Sequence, residues 1–355
     1  MNILADENIP QVHEAFAALG TLTARSGREI SPSDLQTTDA LLVRSVTRVD
    51  HDLLSGTPVR FVASATAGLD HIDADYLQSA GITFAHAPGS NALSAAEYVI
   101  AALCYWSLRN ARPLDGLSLG VIGCGQVGSR VVRLAQQLGL RCVRNDPPLA
   151  ATGVAELDAI DAALACDIVT LHVPLTTDGP HATRTLLSAD RLAQLKPGAV
   201  LINASRGEVI DEAALLRRVT SQRDLTLMLD VWHNEPAIQL PLLAETLLAT
   251  PHIAGYSTDA KLRGTEMIYR AYCDFLGREA HWQPRIDTPM NAEPNDAVTD
   301  IRERVLRAYP IDQDDARLRR VLHEPDLEVA RHFDQLRKRY PIRREYSPTL
   351  LTHAT

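Results

Sequence analysis

Short apolar runs alternate with stretches of helical periodicity over the first eighty-odd residues: MNILA, VHEAFAALG, ALLVRS, RFVASATAG and GITFAHAPG. Apolar runs of strand length separated by helix-length spacers predict an α/β fold. From Ala92 to Asn110, ALSAAEYVIAALCYWSLRN repeats its apolar residues at helical spacing, over a length able to pass from one domain to another. LSLGVIG then predicts a buried strand, GCGQVGSRVVRLAQQLG a turn and helix, and LRCVRND the next strand, which together form a βαβ unit. Further strands are predicted at DIVTLHV, AVLINAS and LTLMLDV, with helical patterns between them. That order predicts a Rossmann-type, doubly wound parallel sheet.

After about Arg285 the pattern changes. DTPMNAEPNDAV is rich in Pro, Asn and Asp, and the remainder carries many charges on helical stretches such as DLEVARHFDQLRKRY. This tail is expected to be a separate small unit, either a solvated helical cap or a dimerisation module in which Val329, Phe333 and Leu336 form an apolar stripe.

A length of 355 residues exceeds one compact core and fits two or three folding units. The formal net charge of -9 argues against a nucleic-acid or acidic-membrane binder, since both need a broad positive field. An anionic substrate then requires a local basic pocket. The five cysteines, Cys104, Cys124, Cys142, Cys166 and Cys273, occur singly, without the spacing of a zinc site or a small disulfide scaffold. MNILADENIP lacks the basic and apolar regions of a signal peptide, and no apolar run reaches membrane-spanning length, so a soluble cytoplasmic protein is expected.

Gly123, Gly125 and Gly128 form GxGxxG directly after an apolar strand and before a helix, with Gln126 and Val127 inside the turn. The first glycine permits the tight turn, the second admits a pyrophosphate close to the backbone, and the third lets helix and strand pack. Asp146 follows Gly128 by 18 residues at the end of the next predicted strand, where a carboxylate binds ribose hydroxyls and repels the extra phosphate of NADP. NAD is therefore the expected cofactor, with nearby Arg144 the one residue that favours the alternative.

Oxidation of a secondary alcohol needs a base, a cation for the acid group and an aligned nicotinamide. Arg206 lies in NASRGEVID after one predicted strand, Glu235 in DVWHNEP after another, and His252 in TPHIAGY. Histidine titrates near neutrality and suits the alcohol proton, a carboxylate beside it fixes its ring, and the arginine fork suits a substrate carboxylate. Each alone has an ordinary structural role; their joint placement after successive strands points to catalysis. His181 and His233 have no third ligand at metal spacing, so no metal is expected.

The motifs SATAGLDHID, GSNALSAAEYVI, LGVIGCGQVGSR, LHVPLT, LKPGAVLINASRGEVID, LDVWHNEP and TPHIAGY resemble, in order and spacing, the D-2-hydroxyacid dehydrogenase family over about residues 1–280. The resemblance implies a flavodoxin-like substrate-binding domain from residues 1–92 and 256–285, a nucleotide domain at 93–255 inserted into it and an active site between them. It implies cofactor contacts at Val173, Ala204, Ser205, Arg206, Asp230 and Gly255. Val173 departs from the threonine common in relatives, which leaves only its backbone for that contact. VRSVT, AGYS and the tail FDQLRKRYPIRREY are similar to a branch acting on a small phosphorylated hydroxy acid as a homodimer; only this narrower likeness implies a dimerisation domain at 286–355 and substrate contacts at Ser45, Thr66 and Tyr256. Backbone N–H groups around Gly68 and the side chain of Arg44 are further candidates for an anion. Another hydroxy acid, or an NAD-sensing binding role on the same fold, remains the alternative reading.

Overall fold

The computed structural model describes residues 1–286, 298–324, 326–346 and 350–351. Most of the Pro-, Asn- and Asp-rich segment after Arg285, residues 287–297, lies outside the described residues. The chain divides into two compact units, one holding residues 1–91 and the chain from Ser257 to residue 286, the other Ala92–Tyr256 and the described tail.

The first unit is built on five parallel strands, β1 (Asn2–Asp6), β2 (Thr21–Arg25), β3 (Ala40–Val43), β4 (Phe61–Ser64) and β5 (Thr83–His86), in the order β2-β1-β3-β4-β5. This is the flavodoxin-like order, as the resemblance implied. Every residue of β3 and β4 is buried, because helices cover both faces of a parallel sheet. The edge strand β2, TLTAR, alternates half-buried and exposed residues, and no apolar run announced it. Helix Thr258–Leu276 closes one face. Ser257 caps its start by accepting from Ala260 N at 2.9 Å, and Ile268, Tyr269, Tyr272 and Cys273 pack on Ile3, Phe16 and Phe61.

The second unit carries six parallel strands, β6 (Ser118–Ile122), β7 (Arg141–Asn145), β8 (Ile168–Leu171), β9 (Ala199–Asn203), β10 (Leu225–Leu229) and the two-residue β11 (Leu248–Ala249), in the order β11-β10-β9-β8-β6-β7. Successive residues of these strands enter opposite cores. Val200, Ile202 and Met228 join the core beneath helices Ala92–Arg109 and Gly128–Gln137, while Leu201, Leu227 and Leu229 join the other. Because both faces are buried, the strands read as continuous apolar runs.

The described tail shares these cores. Helices Ile301–Ala308 and Ile311–Arg319 bring Val305, Ala308 and Ile311 into the first core, and helix Val329–Lys338 inserts Phe333, fully buried, into the second. Val329 and Leu336 pack against that same core. Phe333 of the apolar stripe is thus buried inside the chain's own unit, with Val329 and Leu336 partly buried beside it. Burying an apolar side chain of this size stabilises by about 1.5–3 kcal/mol.

Polar groups bind the end of the tail to helix Ala92–Arg109. Arg343 donates to Glu97 Oε2 at 2.8 Å, its guanidinium carbon lies 4.3 Å from the Tyr309 ring centre, and its Nε donates to the Tyr256 carbonyl at 3.0 Å. Tyr346 N donates to Glu97 Oε1 at 2.6 Å. Breaking one half of such a buried pair leaves an uncompensated charge. Arg343→Met should lower unfolding stability in urea by about 3–5 kcal/mol, and adding Glu97→Leu should recover part of that loss. A single variant as stable as the parent would contradict the pairing.

Candidate active site

In an open parallel sheet, ligands bind beyond the carboxyl ends of the strands where the strand order reverses. In the second unit that point lies between β6 and β8, and the glycine turn leaves β6 there. Gly123 has a φ of +88°, a left-handed conformation that glycine adopts freely. A Cβ on Gly128 would lie 1.9 Å from the Gly123 carbonyl, so helix and turn meet in contact; a Cβ on Gly125 would meet nothing within 4 Å. The backbone at Gly125 is therefore open to a ligand, and no side chain caps helix Gly128–Gln137 at Val127. An open turn against an uncapped helix terminus fits a dinucleotide pyrophosphate. Gln126 is exposed, and its Oε1 accepts from Arg130 Nη1 at 3.0 Å.

Asp146 ends β7, and its carboxylate accepts from Cys124 N at 2.8 Å and from Leu149 N at 3.0 Å. It is locked beside the glycine turn, half-buried. Arg144 is engaged elsewhere, by the Glu156 carboxylate at 2.9 Å and by the carbonyls of Ala155 and Glu156. The residue that favoured NADP is turned to a neighbouring loop, so the site fits NAD.

Past β8 stand His172 and Val173. The His172 carbonyl and the Val173 side chain line the glycine turn, each less than 3 Å from where a Gly123 Cβ would sit. Burial pushes the His172 imidazole down to about 3, so it stays neutral at physiological pH. Past β9, Asn203 Oδ1 accepts from both Ser205 N and Ser205 Oγ, and Arg206 Nη1 donates to the Ser205 carbonyl at 2.7 Å. Ala204 is half-buried against the core.

Beyond the adjacent β10, Glu235 and His252 meet: Nδ1 of His252 lies 2.7 Å from Glu235 Oε2. The second oxygen of Glu235 accepts from Trp232 N at 2.8 Å. Burial pushes the Glu235 carboxyl up, but the His252 charge and hydrogen bond, the Trp232 N–H and Arg337 together bring it below the usual range. His252 itself adopts a φ of 54°, unusual for a residue with a side chain. Asp230 holds it there. Its carbonyl accepts from His252 N at 2.7 Å, and its carboxylate accepts from Thr250 Oγ1 at 2.7 Å, Ile253 N at 2.8 Å and Ala254 N at 2.9 Å. Asp230, expected as a cofactor contact, is fully buried beneath the histidine loop. Gly255 and Tyr256 continue that loop, half-buried, with Tyr256 edge-on to Tyr340 at 5.6 Å.

The remaining expected substrate contacts belong to the first unit. Ser45 is exposed in the turn after β3, at the carboxyl end of a strand flanking the reversal between β1 and β3. Thr66 Oγ1 lies 2.8 Å from Ser64 Oγ and near the Gly68 carbonyl. Arg44, whose direction the sequence left open, grips the buried Asp6 carboxylate through Nε at 3.0 Å and Nη2 at 3.3 Å. His181 is exposed, the His233 backbone N–H donates to Glu212, and no cluster of metal-ligating side chains occurs among the described residues. Sequence reasoning missed the supports: the Asp6–Arg44 pair, the Asp230 hub and Arg337 on the tail. The motif marks Asp230 only for the cofactor, and the Asp6–Arg44 pair and Arg337 carry no motif signal.

Fold and site together define an NAD-dependent oxidoreductase, and the profile of the D-isomer specific 2-hydroxyacid dehydrogenase NAD-binding domain matches residues 102–254, while a domain of unknown function (DUF3410) matches 282–355. The chain is 45% identical to the erythronate-4-phosphate dehydrogenase of Salinibacter ruber, over 97% of its own length and 92% of that protein, and 43% identical to that of Hahella chejuensis, over 98% and 93%. It belongs to the erythronate-4-phosphate dehydrogenase family of D-isomer specific 2-hydroxyacid dehydrogenases. Its fold is similar to that of Aquifex aeolicus D-lactate dehydrogenase complexed with NAD and lactic acid (TM-score 0.64, 24% identity, 78% of this chain and 96% of that one). The NAD-bound 3-phosphoglycerate dehydrogenase of Entamoeba histolytica is similarly related (TM-score 0.65, 24% identity, 78% and 95%).

Asp146→Ala should raise the Kd for NAD by roughly tenfold or more, the scale of hydrogen bonds to a charged group, and narrow the preference over NADP. Loss of the cap on Leu149 N should cost about 1 kcal/mol of stability in the same variant. Fluorescence titration with both nucleotides checks this; an unchanged Kd for NAD would remove Asp146 from the cofactor site.

Proposed function

We propose that this chain catalyses the NAD-dependent oxidation of 4-phospho-D-erythronate to 2-oxo-3-hydroxy-4-phosphobutanoate, a step of pyridoxal 5'-phosphate biosynthesis. The observation that carries the reading is the 2.7 Å contact of His252 with Glu235, after adjacent strands of the nucleotide-binding unit, in a chain so similar to erythronate-4-phosphate dehydrogenases. Bound NAD supplies the acceptor for the hydride leaving C2.

The chain's own residues do the rest. An ionised Glu235 accepts from Nδ1–H of His252, which leaves Nε2 as the basic nitrogen. The His252 side chain is 31% exposed, open enough to meet a substrate hydroxyl while Glu235 behind it is 18% exposed. His252 then takes the C2 hydroxyl proton as the carbonyl forms, and returns it in the reverse direction. Arg206 takes the substrate carboxylate through its planar fork and polarises the developing carbonyl. Ser45, Thr66 and Tyr256 supply hydroxyls to the remaining oxygens.

The proposal includes a cytoplasmic homodimer. No helix among the described residues is long and apolar enough to cross a membrane. A dimer would use tail surface other than Phe333, which the core already covers.

Purified protein with NAD should form NADH, followed at 340 nm, selectively from 4-phosphoerythronate among a panel with 3-phosphoglycerate, glycerate and lactate, with a separate 2-oxo-acid acceptor control, read as substrate consumed, for cofactor trapped as NADH. Activity on another acid alone would keep the family chemistry and discard this substrate; silence throughout would discard the enzyme reading. Glu235→Gln should cut kcat by roughly 100-fold or more while NAD still binds, and normal turnover would take Glu235 out of the mechanism.

A further inference from the structure

The last turn of the tail helix Val329–Lys338 carries Arg337 to the edge of the catalytic pair. Its guanidinium carbon lies 5.9 Å from the Tyr256 ring centre. Its charge is one of the groups that holds Glu235 below the usual carboxylate range. Yet Arg337 makes no ion pair within 4.0 Å among the described residues. Its Nε–H is sealed from solvent and has no acceptor. Buried donors are nearly always satisfied, so a half-buried guanidinium with an idle N–H and no ion pair beside the His252 loop calls for an anion.

Resting on the substrate proposed above, we infer that Arg337 binds the terminal phosphate of the substrate, beside Tyr256, and makes the C-terminal segment the part of the chain that selects phosphorylated hydroxy acids.

Elimination among the nearby cations supports the assignment. Arg206 follows β9 and is the group for the carboxylate. Arg343 is already engaged by Glu97 and the Tyr256 carbonyl. A phosphate monoester carries nearly two negative charges at neutral pH and presents oxygens that match the two-pronged guanidinium. An arginine that approaches Tyr256 with an idle N–H fits that group. The Tyr256 ring under the guanidinium also orients it without neutralising it.

The test compares kcat/KM for 4-phosphoerythronate with that for erythronate, which lacks the phosphate, in the parent enzyme and in Arg337→Met. The preference for the phosphorylated acid should fall by about 100-fold, mainly through a higher KM, the scale of a charge-assisted hydrogen-bonded pair. A preference left intact, whether neither substrate suffers or both decline together, would overturn the inference, because a merely structural or carboxylate-binding arginine affects both acids alike. Should the methionine variant fail to fold, Arg337→Lys keeps the buried charge but loses the fork, and the same ratio should fall by at least tenfold; a full ratio in that variant would also overturn it. A parent enzyme inactive on 4-phosphoerythronate would instead refute the proposed substrate, a separate result read before any variant is made.

Discussion

Asp230 is fully buried, and its carboxylate gathers the Thr250 hydroxyl and the backbone N–H groups of Ile253 and Ala254 into one turn. Thr250 has a single hydroxyl hydrogen, which it gives to Asp230, so it accepts from the Tyr98 hydroxyl 2.8 Å away. Burial pushes the Asp230 carboxyl up, since charge is costly without water, and the His252 charge and these donors offset only part of that rise. The turn they fix presents His252 in a backbone conformation it would not hold alone, aimed at Glu235. Proton transfer demands this precision, because a displaced base loses most of its effect.

The tail extends the same logic. Phe333 anchors its last helix in the core and Arg343 secures the following segment to Glu97. Tyr256 is touched from that side three times: by Arg343 at its carbonyl, by Tyr340 at its ring edge and by Arg337 over its face. A segment that the sequence set apart as an appendage thereby reaches the loop that carries His252.

Where a structural feature has a local chemical signature, the sequence showed it. The buried runs of β3, β4, β8, β9 and β10 were visible because both sheet faces are covered. The glycine turn and Asp146 were visible because pyrophosphate and ribose impose residue types at fixed spacing. Strand β2 was hidden because an edge strand needs little apolar surface, and β11 because two residues carry no period. The packing of Val329, Phe333 and Leu336 was legible as a stripe but not as a direction, since periodicity does not say what a face meets. Asp230 was singled out by motif for the cofactor, whereas its engagement with residues some twenty positions away is a matter of tertiary folding. Arg337 was one charge in a charged helix until the fold set it beside Tyr256.

The central claim is that hydride leaves C2 of a D-2-hydroxy acid while His252 removes the hydroxyl proton. The most direct measurement uses 4-phosphoerythronate deuterated at C2, with the nicotinamide product read by mass spectrometry for the parent and for His252→Gln. The account predicts singly deuterated NADH from the parent, and formation at least 100-fold slower from the variant with NAD still bound. Undeuterated NADH, or an undiminished rate in the variant, would contradict it.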